Sequence, residues 1–373
     1  MTGPAACGGT GRRRRSIDRR ALMTGAPAVD HVTVHRRLRA TIVAALVVAA
    51  LTGAAPAQAS TVALPFEGFG GMTVDAAHGR LFVSGGPGSD QIGVYSLGGT
   101  FVKTFDHMPG ATDMVVHDGV LYVALYDGAA IGRIDTATLT RMTRVGLETL
   151  MAPRYLAVAA GRIWVSSCAN GQVASIAADG TGLVLDSGFG GASFQCYDLE
   201  STPAKPRRVF AGETVSDPTT LVKLRASVRG TLSWRRTTFD PGIEGSHATN
   251  DMAIRHDGDQ ILLACGTPDY VQAFGAAMFR TRHTYPTGPE PVAVEVSPDD
   301  AQVAAGRRGP DDPDVYVFPY RSQIPTFTYD FGSSSDQLAD GGLAFTPDGT
   351  VLFAVSVRAD AVPATLYRFD LAA

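Results

Sequence analysis

Charge, aromatic rings and cysteine are all scarce in this chain. Asp, Glu, Lys and Arg make up 18% of its 373 residues, Phe, Trp and Tyr 8%, and there are only four Cys and two Trp. Low charge beside 45% hydrophobic residues excludes a disordered polyelectrolyte, because there is ample apolar surface to bury. The cysteines form no C-x-x-C pair and no zinc-ligand spacing, so a zinc knuckle or dithiol redox motif is not written here. No G-x-S-x-G is present, which removes the nucleophile elbow of the serine hydrolases. No uninterrupted apolar run reaches the roughly 20 residues of a membrane-spanning helix. Glycine and proline, by contrast, are abundant at 42 and 22 residues, too many breakers for helical bundles or coiled coils.

Residues 1–59 read as an address. Arg36-Arg37-Leu38-Arg39 precedes an apolar run over residues 40–51, and Ala57-Gln58-Ala59 supplies an A-x-A cleavage site. That order is a secretory signal peptide with an unusually long basic region, which a downstream start at Met23 or Val34 would shorten. An uncleaved signal anchor is the competing reading. Ser60 stands where a lipoprotein needs Cys. This segment holds nine Arg against Asp18 and Asp30, so setting aside its +7 turns the net −4 of the whole into about −11. Such a surface suits neither nucleic acid nor an anionic membrane. The expectation is a secreted or cell-envelope protein, monomeric and without a membrane span once processed, whose residues 60–373 form one domain.

That domain repeats. A short apolar alternation recurs as Met72-Thr73-Val74, Met114-Val115-Val116, Leu156-Ala157-Val158, Tyr197-Asp198-Leu199, Met252-Ala253-Ile254, Val292-Ala293-Val294 and Leu343-Ala344-Phe345. Polar turns such as His117-Asp118-Gly119 and Pro347-Asp348-Gly349 follow, then second strands such as Leu121-Tyr122-Val123 and Leu352-Phe353-Ala354. Asp-Gly between alternating hydrophobics is a hairpin signal. Third strands follow, and six units close with a more polar fourth strand, for example Phe101-Val102-Lys103-Thr104-Phe105 and residues 139–145 and 279–285. The seventh unit lacks its fourth strand, which Thr61-Val62-Ala63-Leu64 can supply from the other terminus. Four-stranded units of this length stack radially, so the fold class is all-β, a seven-bladed β-propeller of antiparallel blades closed by its N-terminal strand.

Thr346-Pro347-Asp348-Gly349-Thr350-Val351-Leu352-Phe353-Ala354-Val355 and Asp135-Thr136-Ala137-Thr138-Leu139 resemble the YVTN-type β-propeller repeat family, in its secreted actinobacterial branch. The resemblance covers the whole of residues 60–373, although Phe82-Val83-Ser84 and Tyr122-Val123-Ala124 replace the Y-V-T-N string and blade 4 is degenerate. These motifs are structural, so the resemblance implies a fold and no catalytic residue. Trp-Asp and Gly-His pairs, the marks of WD repeats, are missing, as is an Asp-x-Asp-x-Asp-Gly calcium loop.

Candidate site residues come from the loops that lead into the innermost strands, because those loops form one face of a propeller. Asp113 and Asp251 sit one residue before a strand core, Arg154, Asn250 and Glu290 two before, and Asp340 three before. His247 shares a loop with Asn250 and Asp251. As an oxygen-donor ring these could hold a hard cation such as calcium; as ordinary turn residues they would only cap backbone. The leading expectation is a non-enzymatic scaffold that binds a protein, glycan or small molecule across the face bearing the long loops at residues 239–250 and 330–340, with no cofactor. The alternative is a calcium-dependent hydrolase or lactonase, as among gluconolactonase-like propellers, using Asp113, Asp251, Glu290 and Asp340. Cys168 ends a second strand and Cys196 leads into the next blade on the same face, so these two should pair and leave Cys265 buried. His78, His117 and His256 fall in hairpin turns, and His107 and His283 are isolated, which is not the convergence of a metal site.

Overall fold

The computed structural model describes residues 59–371 apart from 187–195, 216–218, 240–248, 311–312 and 361. The leader and His247 therefore lie outside the described residues. Its strands form seven antiparallel sheets in sequence order, each the meander expected of a propeller blade. Blade 1 runs Gly71–Asp75, Arg80–Ser84, Ile92–Ser96 and Phe101–Phe105. The six that follow start from innermost strands Ala111–His117, Pro153–Ala159, Tyr197–Glu200, Asp251–Ile254, Pro291–Val296 and Gln337–Phe345. Each innermost strand packs on the next, and that of blade 7 returns to blade 1, closing the ring.

The hairpin signals act through their chemistry. In His117-Asp118-Gly119-Val120, Asp118 and Gly119 both take positive φ, 49° and 75°, as a two-residue turn joining twisted strands requires. In the Thr-Pro-Asp-Gly and Ser-Pro-Asp-Asp turns the hydroxyl leads: Thr346 Oγ1 donates to Asp348 at 2.6 Å and accepts from the Val351 N–H at 3.1 Å, and Ser297 repeats this with Asp299 and Gln302. Each turn thus satisfies its own polar groups before the next strand begins.

Seven hydrophobic clusters stabilise the ring, one for each pair of neighbouring blades. Phe82, Ile92 and Val94 of blade 1 pack on Met114, Leu121 and Val123 of blade 2, and Trp164 of blade 3 packs on Tyr197, Val209 and Val222 of blade 4. Alternation explains this: each strand sends one residue toward the preceding blade and the next toward the following blade, so blades read as apolar on both faces.

The seam is where the sequence placed it. Ala59–Ala63 pairs antiparallel with Thr365–Asp370, with Ala59 opposite Phe369 and Ala63 opposite Thr365. Leu64 and Phe66 then enter the cluster joining blades 7 and 1, beside Leu81 and Phe353. Three details differ from the sequence reading, one of them in blade 6, where Val294 rather than Val292 is the counterpart of Met114 and the inward-facing residues become Ala293 and Glu295. The outer strand of blade 2 splits into Thr140–Arg141 and Val145–Gly146, with Met142, Thr143 and Arg144 exposed between them. In blade 4, Leu199 rather than Tyr197 is the counterpart of Met114, which moves that blade's inward-facing residues by two places.

Candidate functional site: an acid-lined channel

Every second residue of an innermost strand faces the central channel. Going round the ring, the first inward position is Gly71, Asp113, Tyr155, Asp198, Asp251, Ala293 and Gly342; one step deeper lie Thr73, Val115, Ala157, Glu200, Ala253, Glu295 and Ala344. Five carboxyls thus occupy inward positions that are otherwise Gly, Ala, Val, Thr and Tyr. Glycine is used where the wall must be thin: a Cβ on Gly70 would meet the Ala111 carbonyl at 2.5 Å and the Gly86 backbone at 2.8 Å.

The aspartates in the first layer do structural work. Asp113 accepts its own strand's Met114 N–H at 2.6 Å and, from blade 3, the Leu156 N–H at 2.7 Å. Asp251 accepts the Val294 N–H of blade 6 at 2.7 Å. Asp198 accepts from Met252 of blade 5 in the same way. One carboxylate in each of three blades therefore ties down the innermost strand of its successor. The second layer is different. Glu295 accepts only the adjacent Val296 N–H, at 3.0 Å, and the Glu200 carboxyl has no hydrogen-bond partner among the described residues.

Crowding these acids away from water shifts their titration. Burial pushes Asp113 up to about 6 and Glu295 up to about 7, outweighing their backbone donors. Asp198, Glu200 and Asp251 are pushed up first by burial and then by neighbouring carboxylates, Asp113 in the case of Asp198 and Asp198 in the case of Glu200 and Asp251. Among the described residues the one cation lining this level, Arg154, stacks 5.3 Å from the ring centre of Tyr155, whose phenol burial also pushes up. Above them Arg308 pairs with Asp340, whose carboxyl is nonetheless raised by burial.

The channel is a funnel. At the acid ring its cavity is about 120 Å³, bounded by Asp113, Tyr155, Asp198, Asp251 and Asp340. Toward the hairpin-turn face it opens into a chamber of about 640 Å³ lined by Val115, His117, Ala157, Glu200 and His256, and another of about 360 Å³ beside Thr73, Glu295 and Phe345. The roomier mouth is thus opposite the face from which the innermost strands start.

Of the residues singled out in the sequence, Asp113, Arg154, Asn250, Asp251 and Asp340 line the narrow cavity together. Asn250 Nδ2 donates to the Pro291 carbonyl at 3.2 Å, bridging blades 5 and 6. Glu290 is exposed and does not line it; its carbonyl accepts the Arg308 N–H at 3.0 Å. Among the described residues no three His, Cys, Asp or Glu side chains are disposed to share a metal ion. A disulfide joins Cys168 and Cys196 beside the narrow mouth, and Cys265 is buried as a free thiol that burial pushes up to about 12. Asp198, Glu200 and Glu295 escaped the sequence reading. Aligning the blades on their Asp-apolar step rather than on hydrophobic triplets would have found the first two. Glu295 sits inside the apolar run Val292-Ala293-Val294-Glu295-Val296, where only its alternation with Ala293 marks it as inward-facing.

No sequence-family description matches the chain, and no curated protein matches it in sequence. Solved structures do resemble it. The WD40 domain of Pan2 from Neurospora crassa superposes with a TM-score of 0.64 at 10% identity, over 84% of this chain and 94% of that one. A streptogramin B lyase gives 0.64 at 13% identity, covering 84% and 98%, and hydrazine synthase of Kuenenia stuttgartiensis gives 0.61 at 12%, covering 80% and 98%. At these identities the likeness is one of fold alone.

Proposed function

We propose that this protein is a non-enzymatic, extracytoplasmic binding propeller whose central channel receives a positively charged group, such as an amine or guanidinium. The observation that carries the reading is the second acid layer. Glu200 lines the larger chamber and Glu295 the smaller, each roomy enough for a ligand, with no Lys or Arg among the described residues that line them and, for Glu200, no hydrogen bond there either. A rigid ring of paired strands presents them without having to order anything on binding. The basic leader followed by A-x-A and the Cys168–Cys196 disulfide support an oxidising, exported setting. The likeness to a lyase does not bring catalysis with it. Asp113 and Asp251 already serve backbone N–H groups, Asp340 serves Arg308, and Glu290 points away, so the donors of the calcium-hydrolase alternative are spent separately.

Calorimetry tests this with an alkyl diamine as probe at pH 7, in two buffers of different ionisation enthalpy. A cation should displace protons from Glu295 and its neighbours, so the apparent heat should change with buffer, and Glu200→Gln with Glu295→Gln should weaken binding at least tenfold. Absence of binding, or binding indifferent to both substitutions, would reject the channel reading. Millimolar calcium against EDTA is the second arm: a clear rise in melting temperature abolished by Asp251→Ala would favour the metal-dependent alternative instead.

A further inference from the structure

Blade 4 carries a second charged region of opposite sign, which the function above does not use. Its three outer strands, Arg208–Glu213, Thr220–Ala226 and Leu232–Phe239, are paired so that Arg208 lies opposite Arg225 and Lys223 opposite Arg236. Lys223 and Arg225 are two apart on one strand, so all four cations share one face of the blade. Like charges directly opposite each other destabilise a strand pair, and here it happens twice. The only acid in these strands is Glu213, buried at their far end.

These groups border a cleft of about 590 Å³ lined by Lys205, Arg207, Arg208, Lys223, Arg225 and Arg235. Lys205 reaches Asp259 at 3.5 Å, and Lys223 Nζ donates to the Ala276 and Ala277 carbonyls of blade 5 at 3.1 and 2.6 Å. The Arg207, Arg225 and Arg235 guanidiniums have no partner among the described residues, and the Arg236 Nε is buried without one. Burial, with Arg208 and Arg236 alongside, lowers the Lys223 ammonium from its usual value. In a domain of net negative charge this concentration of unpaired cations is the reverse of its surroundings.

We infer that the blade 4 cleft is an oxyanion site for a short flexible chain bearing two or more phosphate or sulfate groups. Guanidinium forks at Arg207, Arg225 and Arg235 suit bidentate pairing with such groups. Opposed cations gain a shared counter-ion, so binding removes the repulsion built into the strand register.

The test is calorimetric titration of the full domain, residues 59–373, with tripolyphosphate and with a heparin tetrasaccharide at about 20 mM NaCl; the stronger binder identifies phosphate or sulfate as the native chemistry. Submillimolar affinity is expected for at least one, falling about tenfold by 200 mM NaCl as the charges are screened. Arg225→Glu should weaken it at least tenfold, whereas Arg280→Glu on the outer strand of blade 5, an equal change in net charge, should leave it within twofold. Without ligand, Arg225→Glu should melt above the parent, because Arg208 then faces an opposite charge; a merely structural arginine would give the reverse. Lack of heat from both probes, equal losses in the two variants, or tighter binding of a DNA duplex than of either probe would overturn the inference.

Discussion

The channel and the blade 4 cleft both crowd like charges, yet they can relieve the crowding by different means. A carboxyl forced out of water can take up a proton, and burial has moved Asp113 and Glu295 up to about 6 and about 7, where they do so near neutrality. A guanidinium cannot shed one under any ordinary condition. The acid region therefore regulates its own charge and can wait for a ligand, while the opposed Arg208 and Arg225 of the basic region keep their repulsion until an anion arrives. Oppositely charged clusters of similar density thus imply different solution behaviour: proton-linked in one case, salt-linked in the other.

The harshest way to break the comparison is to remove the ring both regions share. Deleting residues 59–64 strips the strand paired to Thr365–Asp370 and takes Leu64 from its cluster. It should lower the melting temperature by about 10 °C or more, an exposed edge and a lost core residue together costing several kcal/mol. Channel and cleft should lose structure in one transition; an unchanged melting temperature would refute closure by this strand.

The next largest effect separates the regions by pH. In the unfolded chain the channel carboxyls titrate near ~4. Between that value and the higher folded ones, the native state holds protons the unfolded chain has released. The stability these groups contribute should therefore be greatest at about pH 4 and below, fall as the pH rises from there to about 6 to 7, where Asp113 and Glu295 ionise in the folded state, and level off above. A melting temperature several degrees lower at pH 8 than at pH 5 is expected in calorimetry. Glu200→Gln with Glu295→Gln should remove much of that slope, and Arg225→Glu none of it.

Within the channel the two acid layers should also part. Asp251→Ala orphans the Val294 N–H and should cost about 1–3 kcal/mol, whereas Asp251→Asn keeps an acceptor and removes the charge, so at pH 8 it should be nearly neutral. Denaturant titration at fixed pH distinguishes them; equal losses would mean the carboxylate, not the acceptor, holds blade 6. The smallest effect belongs to the cleft. Raising NaCl from about 20 to 500 mM should lift the melting temperature by about 1–2 °C in the parent through screening of the Arg208–Arg225 and Lys223–Arg236 pairs. The gain should shrink in Arg225→Glu.

How much of this was legible beforehand depended on whether the feature was local. The hairpins were legible because Asp118-Gly119 and the Thr346 turn settle their conformation within four or five residues, and the closing strand because blade 7 was visibly one strand short. Asp113 and Asp251 were legible because each follows a loop and precedes an apolar residue. Asp198 and Glu200 were not, since Tyr197 and Leu199 both read as apolar anchors and only pairing with the second strand fixes which one faces the preceding blade. The cleft was the least legible. Arg207-Arg208, Lys223, Arg225 and Arg235-Arg236 are scattered over three strands, and nothing short of register brings them face to face.

The seam also decides how the propeller answers a pull. Because Ala59 is registered with Phe369, the polypeptide enters and leaves the disc at one point on its rim. Tension applied through both ends would load the backbone bonds of that pair in series, peeling them one at a time instead of shearing all of them together. A ring that resists heat as a unit would then yield to force at its edge. Anything grafted at either end, in turn, would be anchored at the rim of blade 7, away from the innermost strands that line the channel.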